Sequence, residues 1–375
     1  MFLQFGSGSF LEIHLLPENV FLCSFFGLKP CIDSLIMVVE QSRGTKSGKK
    51  LEFMEIPYEL RMAIERLTAG FAIGELKRSA QSLSLRYRTE GGNGKRLATQ
   101  DDEAVAYAAA RMPATYGAVY QSLKYALDLT ECRPQSLLDA GAGTGAAAWA
   151  ADALLDLERI VCLEREEAMI RIGRILMREA GPPALRNAEW IRRDFTADAI
   201  PGKADLVIAS YALNELGEEQ RMHTVEKLWN AAEIMLLLVE PGTPAGYSQM
   251  MKARDVLLKQ GAQIAAPCPH ENECPLPQGD WCHFKCRVPR SRLHRLLKEG
   301  EAPYEDEKFT YLAVTRQPPK RGAARVLRHP AVDKGRITLD LCLSDRIGKI
   351  HIYKKDGALF KQARKAKCGD VFTFR

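Results

Sequence analysis

Leu137-Leu-Asp-Ala-Gly-Ala-Gly-Thr-Gly145 is the stretch on which the fold turns. Residues 137–140 read as a short buried strand, glycines follow at 141, 143 and 145, and an alanine-rich helix begins near Ala146. A glycine turn between strand and helix lets a ligand approach the backbone and aims the free N–H groups of the helix start at it. Such turns hold dinucleotides and S-adenosylmethionine alike. The spacing Asp-x-Gly-x-Gly-x-Gly, with Asp139 in the strand end, departs from the dinucleotide fingerprint G-x-G-x-x-G and favours S-adenosylmethionine.

Downstream the chain alternates strand and helix, the mark of a doubly wound α/β domain. Strands are expected at 136–140, 159–163, 188–192, 204–210 and 234–240, with a helix over 218–230. Glu164 ends the second strand, where a carboxylate can accept both ribose hydroxyls of an adenosine. Asp194 follows the third as a candidate acceptor for the adenine amino group, with Phe195 stacking nearby. The expected cofactor residues are Asp139, Gly141, Gly143, Gly145, Glu164 and Asp194. After the fourth strand, Tyr211-Ala-Leu-Asn-Glu-Leu216 has no Asn-Pro-Pro-Tyr and no cysteine nucleophile. Asn214 and Glu215 are its polar candidates for catalysis.

Upstream, residues 54–130 read as an all-helical lead-in, with helices from Pro57, over 77–88, over 101–111 and from Thr115 to Leu127. Gly91-Gly-Asn-Gly94 breaks the second from the third. The string Arg111-Met-Pro-Ala-Thr-Tyr116 adds Tyr116 as a third catalytic candidate, with Arg111 beside it. Within residues 1–53, positions 1–39 lack a clean period and a basic region ahead of their apolar stretch, which makes a poor secretory signal, and positions 41–50 read as a polar linker. They are expected to be poorly ordered, with the functional protein starting at Met37 or Met54.

Ten cysteines with no export signal point to metal rather than disulfides. Cys268, Cys274 and Cys282 lie in a proline-rich loop, separated by five and seven residues. A loop so poor in apolar residues needs another source of order, which a bound metal supplies. Zinc sites usually show close C-x₂₋₄-C pairs, whereas wide gaps suit a 4Fe-4S cluster, with zinc as the alternative. Local candidates for a fourth ligand are Cys286, His270 and His283; Cys342 is the distant one.

Residues 266–306 are therefore expected to form a cluster loop and helix. Residues 307–375 are expected to form a small β-rich module, with strands at 309–315, 336–343 and 349–353 and a basic helix over 361–367. From Arg316 onward the chain carries 16 Lys and Arg against 5 Asp and Glu. A basic tail on a near-neutral body suits a phosphate backbone more than base-specific readout.

With the cysteine loop, Arg111-Met-Pro-Ala-Thr-Tyr116 and the glycine turn together, residues 55–375 resemble the methyltransferase-like assembly factors of the small ribosomal subunit, known from mitochondria and with bacterial homologues. The resemblance implies a Rossmann-like S-adenosylmethionine methyltransferase fold over 131–265 and a role in subunit assembly or translation. It also implies contact with ribosomal RNA and a 4Fe-4S cluster on Cys268, Cys274, Cys282 and Cys342. A membrane-free monomer is expected, cytoplasmic in a bacterium and in the mitochondrial matrix of a eukaryote. The competing expectation is an active ribosomal RNA methyltransferase. A radical S-adenosylmethionine enzyme is disfavoured, since Cys-x₃-Cys-x₂-Cys is absent.

Overall fold

A computed structural model describes residues 2–5, 9–15, 21–26, 53–89, 98–298 and 300–374. It divides into two compact units, residues 1–52 and 53–375. Within the first, β1 (Phe2–Phe5), β2 (Ser9–Leu15) and β3 (Phe21–Phe26) form an antiparallel sheet in that order. The rest of that segment, including the proposed start at Met37, lies outside the described residues, as does the Gly91–Gly94 break.

The second unit opens with α1 (Tyr58–Thr68), α2 (Ile73–Thr89), α3 (Asp101–Ala110) and α4 (Met112–Leu127). Leu60, Ala63 and Ile64 give α1 its buried stripe. At the start of α3 the Glu103 carboxylate accepts from the N–H groups of Thr99 and Gln100, at 2.9 and 3.2 Å, so orphan donors of the first turn are satisfied. Pro113 sits in the opening turn of α4, where its missing N–H costs nothing. Most of α4 is apolar and buried against the sheet.

Then come β4 (Ser136–Ala140), α5 (Ala146–Asp152), β5 (Arg159–Glu164), α6 (Glu167–Ala180), α7 (Pro183–Arg186), β6 (Glu189–Arg192), β7 (Ala204–Ser210), α8 (Glu218–Ala231), β8 (Ala232–Pro241) and α9 (Pro244–Lys259). β9 (Gln263–Ala266), β10 (Phe284–Pro289), α10 (Arg292–Lys298) and β11 (Tyr304–Thr315) complete the body. The central sheet runs β10-β11-β8-β7-β4-β5-β6, with β9 also paired to β11. The run from β8 to β6 is parallel, while β11 lies antiparallel between β8 and β10. Strand order reverses at β4, so a crevice opens at the carboxyl ends of β4 and β7, where open α/β sheets bind ligands.

The strand expected to open the C-terminal module, 309–315, is instead part of this central sheet. It pairs with the apolar β8 on one side and with β9 and β10 on the other, and this long-range pairing decided its place. The module proper follows, from β12 (Ala324–Val326), β13 (Ala331–Asp333), β14 (Arg336–Cys342), β15 (Ile347–Tyr353), α11 (Ala358–Lys365) and β16 (Val371–Phe372). It has a five-stranded antiparallel sheet and its own small core around Val326, Leu339, Leu341, Ile352 and Phe372.

Candidate functional site

The crevice holds a cavity of about 1130 Å³. Gly141, Gly143, Glu164, Asp194, Asn214 and Glu215 all line it. The three turn glycines have φ of 77°, 56° and 89°, a left-handed run that side chains resist. Gly145 begins α5, and a Cβ there would collide with Met177. It shapes the turn and does not line the cavity. The Gly143 N–H donates to Glu164 Oε2 at 2.8 Å, and Glu164 Oε1 accepts from the N–H groups of Arg165 and Glu166 at 2.8 and 2.9 Å. Burial raises the Glu164 carboxyl above its usual range against the pull of these three bonds. Asp139 is fully buried beneath the turn, and burial pushes it up to about 7.

Asp194 behaves oppositely. Burial alone would raise it, but Thr196 donates from its N–H and hydroxyl at 3.0 and 2.6 Å, and the net shift is downward. Arg165 is the cation of this wall, 3.5 Å from Glu166, 3.7 Å from Asp194 and 3.5 Å from Glu215. Burial pushes the Glu215 carboxyl up to about 7, with Arg165 opposing.

The facing wall joins residues remote in sequence. Arg111 donates twice to Glu307, at 2.9 and 2.8 Å, and the Tyr211 hydroxyl donates to the same carboxylate at 2.7 Å. The Arg111 guanidinium sits 4.8 Å from the Tyr211 ring centroid, a cation–π contact. Tyr211 has φ of 56°, and a bulky residue in that region marks local strain. Of the pair singled out in sequence, Arg111 lines the cavity and Tyr116 does not: Tyr116 is buried in the helical core, stacked on Tyr120 at 5.9 Å. Its helix turns that face away from the crevice. Sequence reasoning missed Arg165, Tyr211 and Glu307, whose roles appear only once the sheet is assembled.

Glu240 lies under the same loop, fully buried, accepting from the Leu213 N–H at 2.9 Å. Burial, against that bond, pushes its carboxyl from the ordinary 4.5 up to about 8. The folded state therefore binds a proton that the unfolded state releases, so stability is present at low pH and is lost as pH rises through about 8. The ligand-free protein is expected to melt several degrees lower at pH 8.5 than at pH 6, and Glu240→Gln is expected to flatten that slope. An unchanged slope in the variant would assign it elsewhere.

A second, smaller cavity lies between α9, β11 and the C-terminal module. Cys268, Cys274, Cys282 and Cys342 all line it, as do His270 and the buried Arg254 and Arg325. Tyr247 donates its hydroxyl to Cys274 Sγ at 3.2 Å, and Cys342 Sγ stands 3.6 Å from His270 Nε2. Arg325 donates to the carbonyls of Pro267 and Gly369, both at 2.7 Å, pinning the loop to the module. Burial, then the neighbouring thiols, pushes Cys342 up to about 12 and Cys282 well above the usual value. Cys286 points elsewhere, into the core beside Gly117, and His283 does not line the cavity. Among the described residues no three His, Cys, Asp or Glu side chains stand close enough to hold a single metal ion.

A parallel sheet with this reversal, an antiparallel strand inserted near its edge, and glycine and acidic residues at the carboxyl ends define a methyltransferase-like Rossmann fold. The chain belongs to the family described as mitochondrial small ribosomal subunit Rsm22, which matches residues 101–373. It is 30% identical over 203 residues to the human mitochondrial ribosome assembly protein METTL17, covering 50% of this chain and 43% of that protein. It is 26% identical over 329 residues to Rsm22-cox11 tandem protein 2, mitochondrial, of Schizosaccharomyces pombe, covering 72% and 43%. The chain thus spans under half the length of each of these relatives. Among solved structures, the magnesium protoporphyrin IX methyltransferase of Synechocystis with bound S-adenosylmethionine is 13% identical at a TM-score of 0.38, covering 72% of this chain and all of that one. No helix among the described residues is long and apolar enough to cross a membrane.

Proposed function

We propose that this chain is a methyltransferase-like factor of small-ribosomal-subunit assembly. In this reading it binds S-adenosylmethionine in the crevice, carries a 4Fe-4S cluster on Cys268, Cys274, Cys282 and Cys342, and contacts ribosomal RNA through its basic C-terminal module. Family membership supports the ribosomal part. The mitochondrial names of the relatives make the matrix the proposed setting in a eukaryote, with the cytoplasm its bacterial counterpart.

The observation that carries the cluster is the convergence of three loop cysteines and a strand cysteine from the module on one cavity. The donor set fits: thiolates select zinc or iron–sulfur groups, two buried arginines offset their charge, and no carboxylate lines the cavity. Zinc, with Zn–S near ~2.3 Å, would draw its sulfurs to about 4 Å from one another. No such grouping is present among the described residues; the wide sequence gaps between the loop cysteines are what favour the larger cluster. Bound there, the cluster would supply four thiolate bonds that tie the loop to β14.

In this reading Glu164 takes the ribose and Asp194 the adenine of the cofactor; both line the crevice beside the glycine turn, which supports it. Gly143 has no heavy atom nearer than 3.8 Å to an added Cβ, but its φ of 56° strains any side chain by about 1–2 kcal/mol, so Gly143→Arg is expected to fill the cavity and keep the fold at a modest cost in stability. Anaerobic purification with iron, sulfide and bound-cofactor counting tests both parts at once. About four irons per chain, with cofactor in the wild type and none in Gly143→Arg, is the expected result. Zinc in place of iron would refute the cluster, and cofactor retained by Gly143→Arg would refute the crevice as its site.

A second reading, an active ribosomal RNA methyltransferase, is favoured by Asn214 and Glu215 lining the crevice. Methyl transfer rests mainly on holding donor and acceptor in line. S-adenosylmethionine would supply the methyl group, and these two side chains would orient the acceptor. A ribosomal RNA methylation pattern unchanged in cells lacking the protein would remove this reading.

A further inference from the structure

The β10–β11 strand pair carries an outward face that no part of the sites above uses. Along β10, Phe284, Cys286 and Val288 are buried, while Lys285 is exposed and Arg287 half-buried. Lys285 lies directly opposite Lys308 of β11, and Arg287 opposite Asp306. Like charges directly across a ladder are destabilising, so the exposed lysine pair is a cost that packing does not explain. The carboxylates at hand are already engaged. Asp306 is held by Arg287 at 2.5 and 2.7 Å, and Lys285 reaches it only at 3.8 Å. Asp280 is held by Arg328 at 2.6 Å.

Beside the lysines stands an aromatic pair. The Trp281 and His283 rings are 5.3 Å apart with 30° between their planes. Trp281 donates its indole N–H to the Gly242 carbonyl at 3.0 Å, which fixes the ring edge and leaves its orientation set. Arg328 reaches the Trp281 carbonyl at 3.4 Å, and both Arg328 and Lys308 act electrostatically on the His283 imidazole. Trp149, Trp190 and Trp229 are buried; Trp281 alone of the four tryptophans is outside the core. An oriented, half-buried aromatic pair flanked by two exposed lysines is an arrangement that holds single-stranded nucleic acid, with bases stacked on rings and phosphates on lysines.

We propose that the Trp281–His283 pair, with Lys285 and Lys308, is a binding site for unpaired ribonucleotides on the body, bordered by Arg328 of the C-terminal module and distinct from the basic helix α11. It rests on the reading that the protein contacts RNA, and adds a surface on the body that takes a single strand. Arg328 and the loop leading to Trp281 bring this site beside the cysteine cavity, but neither lysine touches it.

The test is fluorescence anisotropy of the full chain with a fluorescein-labelled twelve-residue oligouridine, read at several salt concentrations. Lys285→Glu/Lys308→Glu is expected to weaken binding by at least about tenfold. The salt slope should fall by about 1.4 for the two lysines together, since each phosphate neutralised on a single strand adds ~0.7 to it. Trp281→Phe is expected to bind within about threefold of wild type, and Trp281→Ala about tenfold weaker, because stacking is worth that much per base. Lys361→Glu/Lys365→Glu, in α11, serves as the comparison. Loss of binding there with none in the Lys285→Glu/Lys308→Glu variant would overturn this proposal and leave the RNA reading standing. No binding by the wild type would overturn both. Equal binding of polyglutamate, blocked by the same double-lysine variant, would replace RNA by an acidic protein segment.

Discussion

Cys342→Ser is expected to reduce iron from about four atoms per chain to near none and to release the C-terminal module from the body. The module's own core is a handful of side chains, chiefly Val326, Ile337, Leu339, Leu341, Ile352 and Phe372. A core that small rarely stands alone without a staple. Arg325 ties it to the loop through two carbonyls, and four thiolate bonds would do the rest. Limited trypsin digestion checks the result, with rapid cutting near the exposed Lys320 and Arg321 expected in the variant and slow cutting in the wild type. Cys368→Ser is the control. Cys368 donates to the Leu327 carbonyl at 3.1 Å and does not line the cysteine cavity, so its variant should keep iron. Full iron in Cys342→Ser would remove that residue from the ligand set.

The second large effect lies across the crevice. Glu307 is buried and accepts from Arg111 twice and from Tyr211 once. Glu307→Ala would leave the Arg111 guanidinium unpaired inside the protein and the strained Tyr211 without its anchor. Removing one partner of a buried pair costs about 3–5 kcal/mol. Since part of the Arg111 side chain still reaches solvent, the lower end, about 3 kcal/mol, is the expectation for urea unfolding. Arg111→Met combined with Glu307→Leu should recover more than half of that loss, because no charge is then stranded. A single-variant loss below about 1 kcal/mol would mean that the network is solvated and contributes little.

The two sites differ in how far the chain itself announces them. The glycine turn and Glu164 are local: a buried strand, a left-handed turn and an acidic strand end can be read within thirty residues of sequence. The three loop cysteines are also local, because proline excludes regular structure and leaves the thiols as the distinctive chemistry. Cys342 is not, since a strand cysteine looks like any small core residue until β14 is laid against the loop. The Arg111–Glu307 pair spans 196 residues, and no pattern in either segment refers to the other. Tyr116 misled for the opposite reason: its string was distinctive, but helix rotation turned it inward. β10 was missed because cysteines and charges interrupt a short run whose alternation, Phe284, Cys286 and Val288 inward, is plain only in the sheet. Strand 309–315 was expected in the wrong layer, since strand propensity says nothing about which neighbour a strand will choose.

The position of β10 at the end of the central sheet has a further consequence. An open edge offers unpaired N–H and C=O groups to any passing strand, and natural sheets protect such edges with charge, proline and cover. All three are present here. Lys285 and Arg287 project from β10, Pro289 ends it without an N–H to donate, and the Met54 N–H occupies the Arg287 carbonyl at 2.7 Å. At the far edge β6 is only four residues long. The sheet is therefore built to stop at its own boundaries: neither rim offers a long apolar strand on which another copy could add by backbone pairing.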